Sequence, residues 1–309
     1  MHVSIFAWIG LIAAVGALLV VDLFFAHRHA DRISLREAAG WSVLWMAVGI
    51  VFGLVVLATL GGAAAGDYWA GFLLEKALSL DNVFVIAVLL TSFAVPQALK
   101  ADVLTFGIVG ALILRAVFIV AGVALLEVFH PALYVMGALL VVTGVRIAYK
   151  DDDGEGFADG RLMTWLRRVL PIGHEFKGDK LLDREHGRRV VTPLFAALLA
   201  VAMADVVFAI DSIPAVLAIT TETFLVFAAN AFALLGLRAL YFLLDGAAQR
   251  FQYLHFGLGA LLVFVGAKML TEDVLHIPTG VSLGVIVATL GAAIGVSLLV
   301  TGRRERAAA

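Results

Sequence analysis

The sequence has no cysteine. That excludes a thiolate metal site, a disulfide and a dithiol redox pair, so anything bound must be held by oxygen, imidazole or charge. Charge is scarce too: Asp, Glu, Lys and Arg make up 15% of the 309 residues, and the net charge of −2 gives no reason to expect nucleic acid. Lys and Arg are missing altogether from four stretches, residues 61–66, 129–130, 220–222 and 272–278. No hydrolase triad, phosphate loop or glycine-rich nucleotide turn stands out, and the chain reads as a non-enzyme.

What remains is apolar. The chain is 62% hydrophobic with a mean hydropathy of +1.04, where soluble domains hold roughly 45–50% apolar residues. Nine runs recur, over about 4–26, 40–60, 67–93, 102–128, 131–149, 192–219, 223–244, 253–271 and 279–301. Each is long enough to cross a hydrocarbon core of about 30 Å. The start, MHVSIFAW, carries no basic stretch, so the first run reads as a helix and not as a cleaved signal. The runs lack the alternation of barrel strands. The expected fold is all-α, a single transmembrane domain over 1–309 with about nine helices.

The charged loops set the orientation. Arg28, Arg32 and Arg36 follow the first run, Lys100 the third and Arg250 the seventh, and Arg303, Arg304 and Arg306 end the chain. The long loop 150–190 holds nine basic and nine acidic residues. With the four intervening loops free of Lys and Arg, the positive-inside rule predicts an outside N-terminus and an inside C-terminus, with loop 150–190 in the cytoplasm.

Two stretches break the apolar pattern. LLEKALSLDNVFVIAV, residues 73–88, carries Glu75, Lys76, Asp81 and Asn82; DVVFAIDSIPAV, residues 205–216, carries Asp205, Asp211 and Ser212 at the same acid-to-acid spacing. LRAVF (114–118) then matches LRALY (237–241), and GALLVVTGVR (137–146) matches GALLVFVGAK (259–268). Three blocks in one order predict a repeat, about 67–149 against about 192–271. It is three helices long, so its copies run in opposite directions through the membrane. Inverted repeats of this kind place a substrate site near mid-membrane where they meet.

An ionised side chain at the bilayer centre costs about 2.5–3.5 kcal/mol, so Glu75, Asp81, Asp205 and Asp211 together cost roughly 10–14 kcal/mol if left alone. Arg115 and Arg238 are natural partners, leaving two negative charges that one divalent cation or two protons would balance. Glu75, Ser79 and Asn82 share a helix face. Pro214 is expected to kink its span beside Asp211 and to free the carbonyl of Ile210. Carboxylate, amide, hydroxyl and carbonyl are hard donors that suit Mg²⁺, Ca²⁺ or Mn²⁺ without choosing among them.

Blander readings stand beside this one. The acids can be structural, paired with Arg115, Arg238, Lys76 and Lys268, or can form a proton path alone. His27, Arg28 and His29 read as a cytoplasmic anchor, residues 151–153 (DDD) as a solvated run, and Arg146 and Lys268 as snorkelling span ends. Asn230 fits either a helix–helix hydrogen bond or a cavity lining.

EKALSLDNVFV, DVVFAIDSIPAV and LGLRALYF resemble the TerC family of integral membrane proteins, named for tellurium resistance, over about residues 68–269; its nine-span, Alx-like subgroup looks closest. The resemblance implies a bacterial inner-membrane protein of manganese export and metal homeostasis, with no prosthetic group. By motif, Glu75, Asp81, Asn82, Asp205, Asp211 and Ser212 become the expected cation ligands or gates, Asp81 and Asp211 foremost, with Arg115 and Arg238 as supporting charges. The expected activity is Mn²⁺ export by alternating access with proton antiport. The rivals are a Ca²⁺/H⁺ exchanger-like carrier and a membrane factor that metalates or stabilises exported proteins, with partners in the secretion machinery. Many relatives in that pattern carry an acid three residues before Asp205, where this chain has Ala202, so ion choice or proton stoichiometry can differ here.

Overall fold

The structure, a computed structural model, describes residues 3–28, 34–129, 131–149, 171–173, 178, 180–185, 188–245, 254–275 and 277–308; of Asp81 it describes only the backbone. Among the residues singled out above, His29, Arg32, Arg250, residues 151–153 and most of loop 150–190 lie outside it.

The chain folds as helices α1 (Ile5–Arg28), α2 (Leu35–Leu60), α3 (Gly62–Ser92), α4 (Gln97–Val128) and α5 (Ala132–Tyr149). A short antiparallel hairpin follows, β1 (Leu182–Glu185) and β2 (Arg188–Val191). Then come α6 (Pro193–Leu217), α7 (Thr223–Leu234), α8 (Leu237–Asp245), α9 (Leu254–Thr271) and α10 (Thr279–Ala308). The all-α expectation holds, and the hairpin is a small addition in the polar loop. Local chemistry marks the starts of elements. Ser34 and Glu37 form a reciprocal capping box at α2, and Thr192 caps α6 ahead of Pro193, whose missing N–H is harmless in a first turn.

Among the described residues five helices, α1, α2, α4, α6 and α10, are long and apolar enough to cross a membrane, and α7 with α8, bent by 40° at their break, makes a sixth when the pair is counted as one span. The seventh run is therefore not the continuous helix expected from its sequence. Leu235 ends α7 in an extended conformation, and Gly236 has φ +74°. A β-carbon on Gly236 would also come within 2.4 Å of the Trp45 ring. Only glycine meets both demands. α6, by contrast, continues through Pro214 to Leu217. The break in a span lies one segment later, at Leu235 and Gly236.

Three apolar clusters fill the interior. One joins α3, α4, α5, α6, α9 and α10 around Leu74, Ile119, Leu140, Ile213, Leu261 and Ile286. The second joins α3, α4, α6 and α8 around Leu90, Val103, Ala200 and Tyr241. The third joins α1, α2, α3 and α7 around Val15, Trp45, Phe72 and Phe232. α3 takes part in all three, as does α7 through Val226, Leu234 and Phe232. Phe6 on α1, Val43 on α2 and Leu299 on α10 are 66–80% exposed; such outward apolar surface suits a lipid environment.

α5 and α9 pack backbone to backbone. A β-carbon on Gly144 would lie 2.6 Å from the Gly259 carbonyl oxygen, and one on Gly259 would lie 2.7 Å from that of Gly144. Gly137 and Gly266 meet in the same reciprocal way, at 3.0 and 2.6 Å. Rising numbers on one helix meet falling numbers on the other, so the pair is antiparallel. Small residues in register allow this approach between membrane helices.

Candidate intramembrane cation site

The polar residues of α3 gather against α4, α6 and α7. Gly71, one turn before Glu75, lies against Val216 of α6 and Ala229 of α7. Following α3 from that point, Glu75, Ser79 and Asn82 come round one face, and all three are buried, Glu75 and Ser79 completely. Arg115 of α4, 1% exposed, donates from Nη1 to Glu75 Oε2 in a buried ion pair. With its amide oriented to satisfy both ends, Asn82 accepts from Arg115 Nη2 at 3.1 Å and donates to the Leu78 carbonyl at 3.2 Å. Asp205 of α6 is buried and within electrostatic range of both Arg115 and Glu75. Four of the expected positions, Glu75, Asn82, Arg115 and Asp205, thus form one cluster across three helices.

The cluster is incompletely satisfied. Among the described residues, Glu75 Oε1, Arg115 Nε, Ser79 Oγ, Ser212 Oγ and both amide atoms of Asn230 are buried without a hydrogen-bond partner. Ser212 follows Asp205 by two turns on the same face of α6. Buried polar atoms left unpaired cost about 1–3 kcal/mol each, so each of these is an atom that water or a ligand can partner. The free atoms on Glu75, Ser79, Ser212 and Asn230 include four oxygens. Two charges, Arg115 against Glu75, cancel; Asp205 adds a negative one.

Other expected residues lie elsewhere. Asp211 is part-buried and accepts from Thr143 Oγ1 of α5 at 3.2 Å, with Arg146 within electrostatic range. Arg238 does not join Asp205. Its Nη2 donates to the backbone carbonyl of Asp22 on α1 at 3.2 Å. Among the described residues Lys76 forms no ion pair at contact distance: its Nζ donates to the carbonyls of Ala233 and Leu235, each at 3.0 Å, and so caps the end of α7 where the span breaks. Among the described residues, no three His, Asp or Glu side chains converge on a point that could hold a metal ion.

Two residues had not been singled out. Asp22 of α1 lies within electrostatic range of both Lys76 and Arg238, and Trp45 of α2 fills the space opposite Gly236. An acid five residues short of His27 reads as a span end, so only its partner 216 residues away reveals its part in the interior.

Fold and site together define a polytopic all-α membrane protein with a buried, partly unsatisfied charge cluster at its centre. The chain belongs to the Integral membrane protein TerC family, which it matches over residues 60–305. It is similar to the membrane protein STKORF319 of Myxococcus xanthus, 44% identical over 292 residues covering 94% of this chain and 92% of the relative. It is also similar to Alx of Escherichia coli K12, which its name proposes as a membrane-bound redox modulator, 41% identical over 92% of this chain and 91% of that one. The Alx of Salmonella typhi is 40% identical over 97% and 96%. No solved structure matches the chain.

Proposed function

We propose that this chain exports a divalent metal ion, Mn²⁺ foremost, across the bacterial inner membrane, exchanging it for protons at a site between two inverted three-helix repeats. The observation that carries this reading is the cluster of Glu75, Asn82, Arg115 and Asp205, with its unpartnered oxygens on α3, α6 and α7. A structural ion pair would be fully hydrogen-bonded. A site that loads and unloads a cation must leave donor atoms free in one of its states. Its donors are hard oxygens, which favour Mn²⁺, Mg²⁺ or Ca²⁺ over thiophilic ions.

The inverted repeat is supported by the pairing of α5 with α9. Gly137 and Gly144 match Gly259 and Gly266 in sequence, yet Gly137 meets Gly266 and Gly144 meets Gly259. A twofold axis in the membrane plane converts the first contact into the second. On this reading α3, α5 and α9 complete nine spans, with the N-terminus outside, the C-terminus inside and Asp81 and Asp211 as matched acids flanking the cluster. The redox effect in the name of the Alx relatives, carried over to a chain without cysteine, would run through the metal supply and not through thiol exchange.

Ligand-induced stabilisation tests the site. Mn²⁺ raises the thermal unfolding temperature of the purified protein, since an ion that binds only the folded state stabilises it by mass action. Asp205→Asn removes most of that rise, while Zn²⁺ gives a smaller one. A chain unmoved by Mn²⁺, Mg²⁺ and Ca²⁺ alike contradicts the proposal.

A further inference from the structure

A cavity of about 420 Å³ opens at the ends of α4, α6 and α9. Its wall includes Glu127 at the end of α4, Leu217 to Thr221 beyond α6, Lys268 and Glu272 around the end of α9, and Thr279 at the start of α10. Thr279 Oγ1 donates to Asp67 Oδ1 of α3 at 2.7 Å and ties the rim together. Two of its walls are thus the continuations of the helices that carry Arg115 and Asp205. The segments 129–130, 220–222 and 272–278 have neither Lys nor Arg, which on the proposed topology puts the cavity on the outer side.

Lys268 is the unusual member. It is 4% exposed and lines the cavity, yet its ammonium makes no hydrogen bond or ion pair among the described residues. The carboxylates whose charge it feels are Glu272 and Asp67. A lysine that merely snorkelled would end in solvent, and one serving structure would touch an acceptor. The ammonium instead stands free at the wall of an acidic cavity, where a second positive charge would otherwise settle.

Building on the export reading, we infer that this cavity is the outer vestibule of the cation path and that Lys268 is its resident cation. A departing metal ion displaces the ammonium toward Glu272 or Asp67, and the ammonium returns once the ion has left. An ion arriving from outside meets a fixed positive charge in a low-dielectric pocket, where like charges repel far more strongly than in water. Lys268 thereby lowers the affinity of the outward-facing site, so that external metal competes poorly with export.

The absence of native cysteine allows a clean test. Right-side-out vesicles loaded with Mn²⁺ are assayed for export while external Mn²⁺ is titrated, each variant normalised to its own rate without external metal. In Lys268→Cys, half-inhibition by external Mn²⁺ shifts to concentrations about tenfold lower than in the unsubstituted protein. Modifying that cysteine with aminoethyl methanethiosulfonate restores the ammonium and the original inhibition curve; methyl methanethiosulfonate, which is neutral, does not. Lys268→Arg keeps the original curve. Equal half-inhibition in Lys268→Cys and the unsubstituted chain, or equal rescue by both reagents, overturns the vestibule role alone. No export by the unsubstituted chain under any condition overturns the carrier reading beneath it.

Discussion

Glu75 and Arg115 place a full ion pair in the interior of a protein whose surroundings are hydrocarbon. Such a pair is weak support for stability in itself, because desolvation offsets the attraction, but removing one partner strands the other. Arg115→Met is therefore expected to destabilise the protein by about 3–5 kcal/mol, and the double variant Glu75→Leu with Arg115→Met to recover much of that, as measured by denaturant unfolding in detergent. The orphan hydroxyls predict the opposite pattern. Among the described residues Ser79 Oγ and Ser212 Oγ have no partner to lose, so Ser79→Ala and Ser212→Ala are neutral to stabilising, by up to about 1–3 kcal/mol each. If these oxygens serve a metal, both variants still lose part of the Mn²⁺-induced rise in unfolding temperature; an undiminished rise removes them from the site. The acids and arginines were legible in the sequence because charge is conspicuous in an apolar run. Their pairing was not. Arg115 and Arg238 occupy matching repeat positions, yet one meets Glu75 and the other a backbone carbonyl on α1, a difference set by the peripheral helix and not by the motif.

The helices themselves follow from the runs of apolar residues, with most ends within about two residues of the expected segments, although α2, α3 and α4 begin five residues earlier and α10 runs seven further. The break between α7 and α8 does not announce itself, since LGLR reads as ordinary helix with one tolerable glycine. Its cause is tertiary: Trp45 occupies the space beside Gly236, and Lys76, from another helix, satisfies the carbonyls that the break exposes. Lys76→Met should leave the Ala233 and Leu235 carbonyls buried without a donor, at about 1–3 kcal/mol each. Gly236→Ala should cost about 1–3 kcal/mol from its backbone conformation alone, before the clash with Trp45. Thermal unfolding of the two variants checks both, and parent-like stability in either would mean that the break is not held in this way. Pro214 shows the converse. A proline three residues from the end of α6 marks the approach of a helix terminus, where the lost hydrogen bond matters least.

At the scale of the whole molecule, the repeated blocks predict a duplication, and on the proposed inverted-repeat reading the reciprocal glycine contacts of α5 and α9 lie across its axis. Each contact places the partner's carbonyl oxygen where a side chain would go. Gly144→Leu and Gly259→Leu should therefore force the two helices apart, seen as a large loss of unfolding temperature together with lost Mn²⁺ response. Gly284→Ala, where a β-carbon meets nothing, should change neither. What the sequence could not convey was the division of labour among the acids. Asp205 lies within electrostatic range of Glu75, whereas Asp211 accepts from Thr143 on α5. The account accordingly places the cation load on Glu75, Asn82 and Asp205, and treats Asp211 as a neighbour that α5 holds to one side.

Mn²⁺ flux into proteoliposomes containing only this protein, recorded together with the opposing movement of protons, is the most direct measurement. The account predicts metal flux that dissipates a proton gradient and that Asp205→Asn abolishes in correctly folded protein. Flux that is absent from the parent, or that persists undiminished in Asp205→Asn, would contradict it.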